Sequence, residues 1–247
     1  MPRAERTPST RPDRKTSGRR RAPSATVVLL IRHGTTETTG KELPGRAPGL
    51  HLSDTGRRQA QDVAARISAM GQPPPDDLPK GNGQRPKPPS VAAVYASPLE
   101  RTRETAAPIA EALGLEVVPD EGLLELDMGE WTGMELKAAM KRKEWATIQR
   151  YPSGFSFPGG ESFLAMQTRM VSTLDRLRAA HPGETIVAVS HADPIRAAVA
   201  HAMGTHLDLF QRVVVSPCSL TAIAYGDGGP IVLKVNDTGT GGALVAS

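Results

Sequence analysis

A chain with one cysteine, Cys218, cannot close an intramolecular disulfide, so the fold must rest on a packed core and a reducing compartment fits. Cys218 itself reads as a small buried strand residue. No apolar run approaches the length that crosses a bilayer, and the amino terminus has no hydrophobic stretch like that of a secretory signal. The expectation is a soluble cytoplasmic protein with no membrane partner. No internal repeat is present, which excludes a solenoid. A basic surface is missing too, despite the formal charge of +4. Residues 1–25 hold eight Arg or Lys against two acids, a net of +6, so the remaining 222 residues carry about −2 and no nucleic-acid partner is expected. That basic tail, rich in Arg, Ser, Thr and Pro, reads as disordered; Glu5, Asp13 and the lack of an amphipathic pattern argue against an organelle transit peptide.

What is present is an alternation of strands and helices, the pattern of an α/β fold. Thr26 to Arg32 is a near-continuous aliphatic run, as a strand buried on both faces of a parallel sheet requires. Ser53 can cap a helix whose apolar positions Ala60, Val63, Ala64, Ile67 and Met70 recur at helical spacing. Residues 71–90, dominated by Pro, Gly and Lys, read as an exposed inserted loop. Val91 to Ala96 is a second strand, and Ser97-Pro98-Leu99-Glu100 reads as a capping box with proline at the first helical position. Strands are further expected near 115–118, 185–190, 212–215, 220–225 and 231–235. Helices are expected over the stripe Phe163, Met166, Met170, Leu174, Leu177 and from Asp193 to Met203, with a hairpin turn at Gly226 to Gly229. The segment 120–160 breaks the alternation and reads as a cap. Six of the nine aromatic residues lie in it or at its edge (Trp131, Trp145, Tyr151, Phe155, Phe157, Phe163), beside Lys137, Lys141, Arg142, Lys143 and Arg150. This bias suggests a substrate-facing lid; the other reading is that the aromatics pin the cap to the main domain while the charges face solvent.

Two predicted strands end in an imidazole: Leu30-Ile31-Arg32-His33-Gly34-Thr35, and Ile186 to Ser190 followed by His191. Between them Arg101 falls in the first turn of a helix that follows a third strand. Ligands of open α/β sheets gather outside the carboxyl ends of the strands, so these groups converge. A phosphoryl group in transit needs positioning and cationic stabilisation, and a nucleophilic side chain can divide its transfer into two steps. Neutral imidazole at His33 suits the attack. Arg32 and Arg101 supply planar forks for phosphate oxygens, His191 adds a donor, and the helix near Asp193 directs free backbone N–H groups to the same place. A proton donor is also required, and Glu121, Glu125, Asp127 and Glu130 are all close in sequence, with nothing in their spacing to choose among them.

These residues lie in motifs that resemble the histidine phosphatase superfamily, in the branch typified by cofactor-dependent phosphoglycerate mutase. Leu30 to Thr35 resembles its nucleophile motif and Leu52 to Ala60 the helix start that follows. Ser97 to Ala106 resembles the second arginine motif and Leu124 to Gly133 the acid-donor motif; Phe157 to Ser162 and Val189 to Arg196 complete the series in order. The resemblance runs from Thr26 to about Asn236, leaving 237–247 as a flexible tail. It implies a three-layer αβα sandwich with a mostly parallel central sheet and a helical cap insertion, forming one catalytic domain over 26–236. It makes His33 the phosphorylated nucleophile, gives Arg32, Arg101 and His191 the phosphoryl group to hold, and makes Glu125 the acid that protonates the leaving oxygen and then activates water. No cofactor and no metal are implied. Thr39 stands where an asparagine is common and Ala192 where glycine is frequent, while Arg46 and His51 lie in a loop that often touches substrate.

The expected activity is therefore metal-independent hydrolysis of a small phosphomonoester through a phosphohistidine. A phosphomutase, which would hand the phosphoryl group to a second alcohol, uses the same residues and is the alternative. A third reading, from another class, is a non-catalytic protein that binds phosphorylated ligands, with the basic tail as a docking arm. The partner in each case is a small phosphorylated metabolite, and oligomeric state is not legible in the sequence.

Overall fold

The computed structural model describes residues 25–70 and 90–239. The basic segment 1–24, the stretch 71–89 and the end of the chain from 240 lie outside the described residues. In chain order the strands are β1 (Thr26–Arg32), β2 (Glu42–Leu43), β3 (Val91–Ala96), β4 (Val117–Pro119), β5 (Met134–Glu135), β6 (Thr185–Ser190), β7 (Leu220–Gly226) and β8 (Gly229–Asp237). The helices are α1 (Asp54–Met70), α2 (Glu100–Leu113), α3 (Leu136–Ala139), α4 (Trp145–Arg150), α5 (Phe163–Ala180) and α6 (Ala192–Ala202).

Six strands form one sheet in the order β4-β3-β6-β1-β7-β8. β4, β3, β6 and β1 are mutually parallel, while β7 and β8 turn antiparallel at one edge, joined by the expected hairpin. Side chains alternate across the sheet, and both faces are apolar. Leu29, Ile31, Val187 and Val189 pack on one side against Ala60, Val63, Ala64 and Ile67 of α1 and Ala106 and Ile109 of α2. Val28, Leu30, Ile186 and Ala188 pack on the other against Met170, Leu174 and Leu177 of α5 and Ile195 and Ala198 of α6. Three layers result, with β6 buried along its whole length. The α5 stripe shows why the helix lies where it does. Five large apolar side chains at helical spacing are all buried, each worth about 1.5–3 kcal/mol, and the Ser162 hydroxyl caps the first turn by accepting from the Ala165 N–H at 3.0 Å. Ser53 caps α1 in the same way through the Gly56 N–H at 3.2 Å. Cys218 is buried, as expected, but it sits in a turn before β7, with φ at +52°, and not in a strand.

The cap is larger than the segment 120–160. Its small antiparallel sheet pairs β2 with β5, and further bonds run from the Gly133 N–H to the Leu43 carbonyl and from the Leu136 N–H to the Lys41 carbonyl, both 2.8 Å. The loop after β1 is thus woven into the insertion after β4. Four of the six cap aromatics turn inward, while Trp145 is half-buried and Tyr151 exposed. Trp131, Phe155, Phe157, Phe163 and Phe210 are buried together with ring centroids 5.0–6.4 Å apart, and they pack on Ala197 and Ala200 of α6. Lys137, Lys141, Arg142, Lys143 and Arg150 are exposed. For Trp131, Phe155, Phe157 and Phe163 the lid expectation is corrected: their rings pack on one another and pin the cap to α5 and α6.

Two other expectations are corrected. No strand forms at 212–215, where a turn of 3-10 helix (Leu207–Arg212) runs into irregular chain. The carbonyls of Val213 and Val215 accept from Arg196 and Arg32, so guanidinium groups take what a strand ladder would use. Nor does Ser97 cap α2, which starts at Glu100 with Leu99 before it and no side-chain cap. The Ser97 hydroxyl is turned toward His191 instead. No helix among the described residues is long and apolar enough to cross a membrane.

Candidate active site

Three neighbouring parallel strands end at one place. In register, Arg32 lies beside Ser190 and Val189 beside Ala96. The ladder runs one residue further, with His33 N–H donating to the Ser190 carbonyl and Ser97 N–H to the Val189 carbonyl, both at 3.0 Å. The sequence therefore delivers His33, His191 and Ser97 side by side at the carboxyl edge of β1, β6 and β3. Arg101 enters from the first turn of α2.

His33 is buried, and its Nδ1 lies 2.7 Å from the Gly34 carbonyl. A carbonyl only accepts, so Nδ1 carries the proton and Nε2 keeps a bare lone pair. Burial first, then the Arg101 and Arg32 cations, hold the His33 pKa well below its ordinary value and keep the ring neutral. The Gly34 N–H donates to the Thr105 hydroxyl at 3.0 Å, which donates in turn to the Arg101 carbonyl at 2.7 Å. Glycine is required at 34 because a Cβ there would stand 2.6 Å from the Gly56 carbonyl oxygen.

Around this ring lie nitrogen atoms that are buried and have no protein partner: His191 Nδ1, Arg101 Nε and Nη1, and Arg32 Nε. The other ends of these side chains are anchored. His191 Nε2 is 2.9 Å from the Ser97 hydroxyl, Arg101 Nη2 donates to the Gly45 carbonyl at 2.8 Å, and Arg32 Nη1 donates to the Val215 carbonyl at 2.7 Å. A buried polar group left unpaired costs about 1–3 kcal/mol, more when charged. Several in one place mark a cradle for a ligand with many acceptor oxygens and negative charge. His191, like His33, is held well below its ordinary pKa by burial and then by Arg101.

Glu125 completes the cluster. It is buried, with Oε1 accepting from the Leu126 N–H at 2.9 Å and Oε2 4.0 Å from His191 Nδ1. Burial, reinforced by Asp193 and opposed by the Leu126 N–H, Arg101 and Arg32, pushes its pKa up to about 7. Of the four acids left open by spacing, Glu125 alone is buried: Glu121 and Glu130 are exposed, and half-buried Asp127 lies 3.7 Å from Arg46.

The structure brings together Arg32, His33, Arg101, Glu125 and His191. It does not bring Thr39 and Arg46 into the same contact. Thr39 Oγ1 accepts from the Thr36 N–H at 2.9 Å and so closes a turn. Arg46 donates to the Glu125 carbonyl at 2.8 Å and to Glu161 at 3.0 Å, behind the acid. His51 is exposed and paired with Glu104. Sequence reasoning missed the parts played by Ser97, Thr105, Glu161 and Arg169. Arg169 carried no signal, since it falls between the stripe positions of α5, where a solvent-facing residue is expected.

Comparison with known proteins agrees with this geometry. A family model described as histidine phosphatase superfamily (branch 1) matches residues 28–73 and 82–238. Phosphoserine phosphatase 1 of Hydrogenobacter thermophilus is 30% identical over 216 residues, 85% of this chain and 92% of that protein. Phosphoglycerate mutase-like protein 4 of Arabidopsis thaliana is 32% identical over 173 residues, 68% of this chain and 67% of that protein. Among solved structures, phosphoserine phosphatase from Entamoeba histolytica, in complex with 3-phosphoglyceric acid, superposes with a TM-score of 0.71 at 23% identity, covering 86% of this chain and 97% of that one. That likeness speaks for the fold, while the family match and the Hydrogenobacter relative speak for descent. The chain belongs to the histidine phosphatase superfamily, branch 1.

Proposed function

We propose that the protein is a phosphatase that hydrolyses a small phosphomonoester in two displacements at phosphorus, with residues 26–236 as its catalytic domain. In the first, His33 Nε2 attacks phosphorus; the N–P bond forms, the ester O–P bond breaks, and Glu125 gives its proton to the departing oxygen. In the second, the Glu125 carboxylate takes a proton from water, the water oxygen attacks phosphorus, and the N–P bond breaks to return neutral His33 and inorganic phosphate. Arg32, Arg101 and His191 hold the three non-bridging oxygens throughout, where their N–H groups offset charge in a buried site.

The observation that carries this reading is the ring of unpartnered buried nitrogen atoms around a bare imidazole lone pair, beside a carboxyl whose pKa is pushed up to about 7. Phosphoserine and 3-phosphoglycerate are the first substrates to test, because the named activity of the Hydrogenobacter relative and the ligand of the Entamoeba structure point to them. The single buried thiol supports a reducing cytoplasmic setting.

A phosphomutase is the second reading, favoured by the name of the Arabidopsis relative. Trapping phospho-His33 with labelled substrate and following its decay separates the two. Rapid loss of label to water with none passed to added glycerate or sugar phosphates is the expected result; transfer to an alcohol acceptor overturns it. No turnover of any phosphomonoester, with no trapped label, returns the protein to the binding reading.

A further inference from the structure

Glu125 stands in a stretch, residues 124–128, that belongs to no helix or strand, yet its carboxyl group has to meet a leaving oxygen within a few tenths of an ångström. Its backbone is held from behind. Arg169, on α5, donates through Nη1 to the carbonyls of Gly122 and Leu124, both at 2.9 Å, and through Nη2 to the Glu125 carbonyl at 3.3 Å. Arg46 reaches the same Glu125 carbonyl from the other side at 2.8 Å. Glu161 lies between the two guanidinium groups. It accepts from Arg169 Nε at 3.0 Å and Nη2 at 2.9 Å, and from Arg46 Nη2 at 3.0 Å.

The main chain repeats the attachment. Glu161 N–H donates to the Asp127 carbonyl and Glu130 N–H to the Pro158 carbonyl, both 2.9 Å. The two segments approach so closely that a Cβ at Gly160 would stand 2.5 Å from the Asp127 oxygen. No atom of Arg46, Glu161 or Arg169 bonds the Glu125 carboxyl group, which meets the Leu126 N–H and His191.

From this arrangement we infer that Arg169, Glu161 and Arg46 are positioning residues: together they suspend the acid-bearing loop from the rigid helix α5 and so set where the Glu125 carboxyl meets the substrate. Only arginine suits positions 46 and 169, because the task is to bond several oxygens at fixed angles in one plane, which a lysine ammonium does not do. The inference rests on Glu125 being the proton donor.

The test compares kcat/KM, which ends with release of the alcohol, for phosphoserine and for p-nitrophenyl phosphate. The first leaving group needs a proton and the second does not. Arg169→Gln and Glu161→Gln should each lower kcat/KM for phosphoserine at least tenfold while changing that for p-nitrophenyl phosphate less than threefold, and Arg169→Lys should not restore it. The basic limb of the phosphoserine profile should move to lower pH, since a slackened loop leaves Glu125 less completely buried. Arg32 of β1, Arg101 of α2, His191 just before α6 and Asp193 of α6 also face that carboxyl and are unchanged in these variants. Loss of the Arg169 cation would by itself raise the Glu125 pKa, so a downward shift in Arg169→Gln reports position, whereas in Glu161→Gln the lost anion acts downward too and the comparison of substrates decides. Equal slowing of both substrates, with the pH limb in place, overturns the inference. Glu125→Gln is the control. If it discriminates between the substrates and the Arg169 and Glu161 variants do not, the positioning role falls and the acid assignment stands; if Glu125→Gln slows both equally, both fall. Glu161→Gln retains an acceptor oxygen, so it keeps the test open should Arg169→Gln fold poorly.

Discussion

The imidazoles of His33 and His191 meet edge to face, with ring centroids 5.2 Å apart and planes inclined at 61°. Burial and the shared arginine cations keep both neutral, but their free nitrogens differ: His33 offers a lone pair at Nε2, and His191 has its partnerless Nδ1. Their parts are therefore not exchangeable. His33→Ala should abolish trapped phosphoenzyme and lower kcat by on the order of 10³ or more, because the covalent route is gone. His191→Ala should still label at His33, with kcat reduced by about 10²–10³ as one charge-stabilising donor is lost. Acid-labile, base-stable label after rapid quench distinguishes the two.

Arg101 is buried completely with two of its three nitrogens unpaired, so the folded protein without phosphate carries a charge that its own structure does not satisfy. Replacing such a group by an apolar side chain of similar volume is often neutral or stabilising. Arg101→Met should unfold at a urea midpoint no lower than that of the parent, with kcat/KM down by at least about 10². A clear loss of stability would show that the guanidinium is held chiefly for the fold, through its bond to the Gly45 carbonyl.

Protonation gives a third expectation. Glu125 titrates near 7 against an ordinary value of 4.5, so between those limits the folded chain holds a proton that the unfolded chain has released. The contribution of this group to stability therefore falls as pH rises from 4.5 to 7. His33 and His191, held below 6.5, act in the opposite sense: as pH falls through 6.5 the unfolded chain takes up protons that the folded rings refuse, and stability is lost toward acid. Glu125→Gln removes the first slope alone. Relative to the parent it should gain roughly 3 kcal/mol between pH 4.5 and 7, as denaturation at a series of pH values measures. The basic limb of kcat/KM for phosphoserine, near pH 7 in the parent, should vanish in the same variant.

Close backbone approach predicts the fate of Gly34→Ala. The new methyl group would stand 2.6 Å from the Gly56 oxygen, so the loop after β1 must move off the start of α1. Overpacking of this kind costs about 1–3 kcal/mol. The larger loss should be in activity, since His33 precedes the displaced residue. Urea unfolding alongside steady-state turnover checks both; unchanged turnover would mean that the loop yields without disturbing the nucleophile.

Much of the fold and the site was legible because it depends on local pattern. Aliphatic runs marked β1 and β6, helical spacing marked α1 and α5, and the position of histidine after each run placed both rings at strand ends. What could not be read depends on contacts between distant segments. Ser97 looks like a cap in sequence and serves His191, 94 residues away. Val213 and Val215 look like strand residues, but their carbonyls are taken by arginines from other elements. The aromatics of the cap cluster with Phe163 of α5 and Phe210, and no periodicity announces that they do so. Glu125 was separable from its acidic neighbours only by family resemblance, because burial distinguishes it and burial is a property of the folded chain.

Because the two histidines follow adjacent strands in register, the gap between their rings is inherited from the peptide ladder, whose repeat across a sheet is about 4.8 Å. The amide bonds of β1 and β6 serve as a ruler for the reaction. Side chains in the layers above and below can drift over generations without changing that measure, whereas a register slip of one residue between these strands would turn a ring to the opposite face and end catalysis at once.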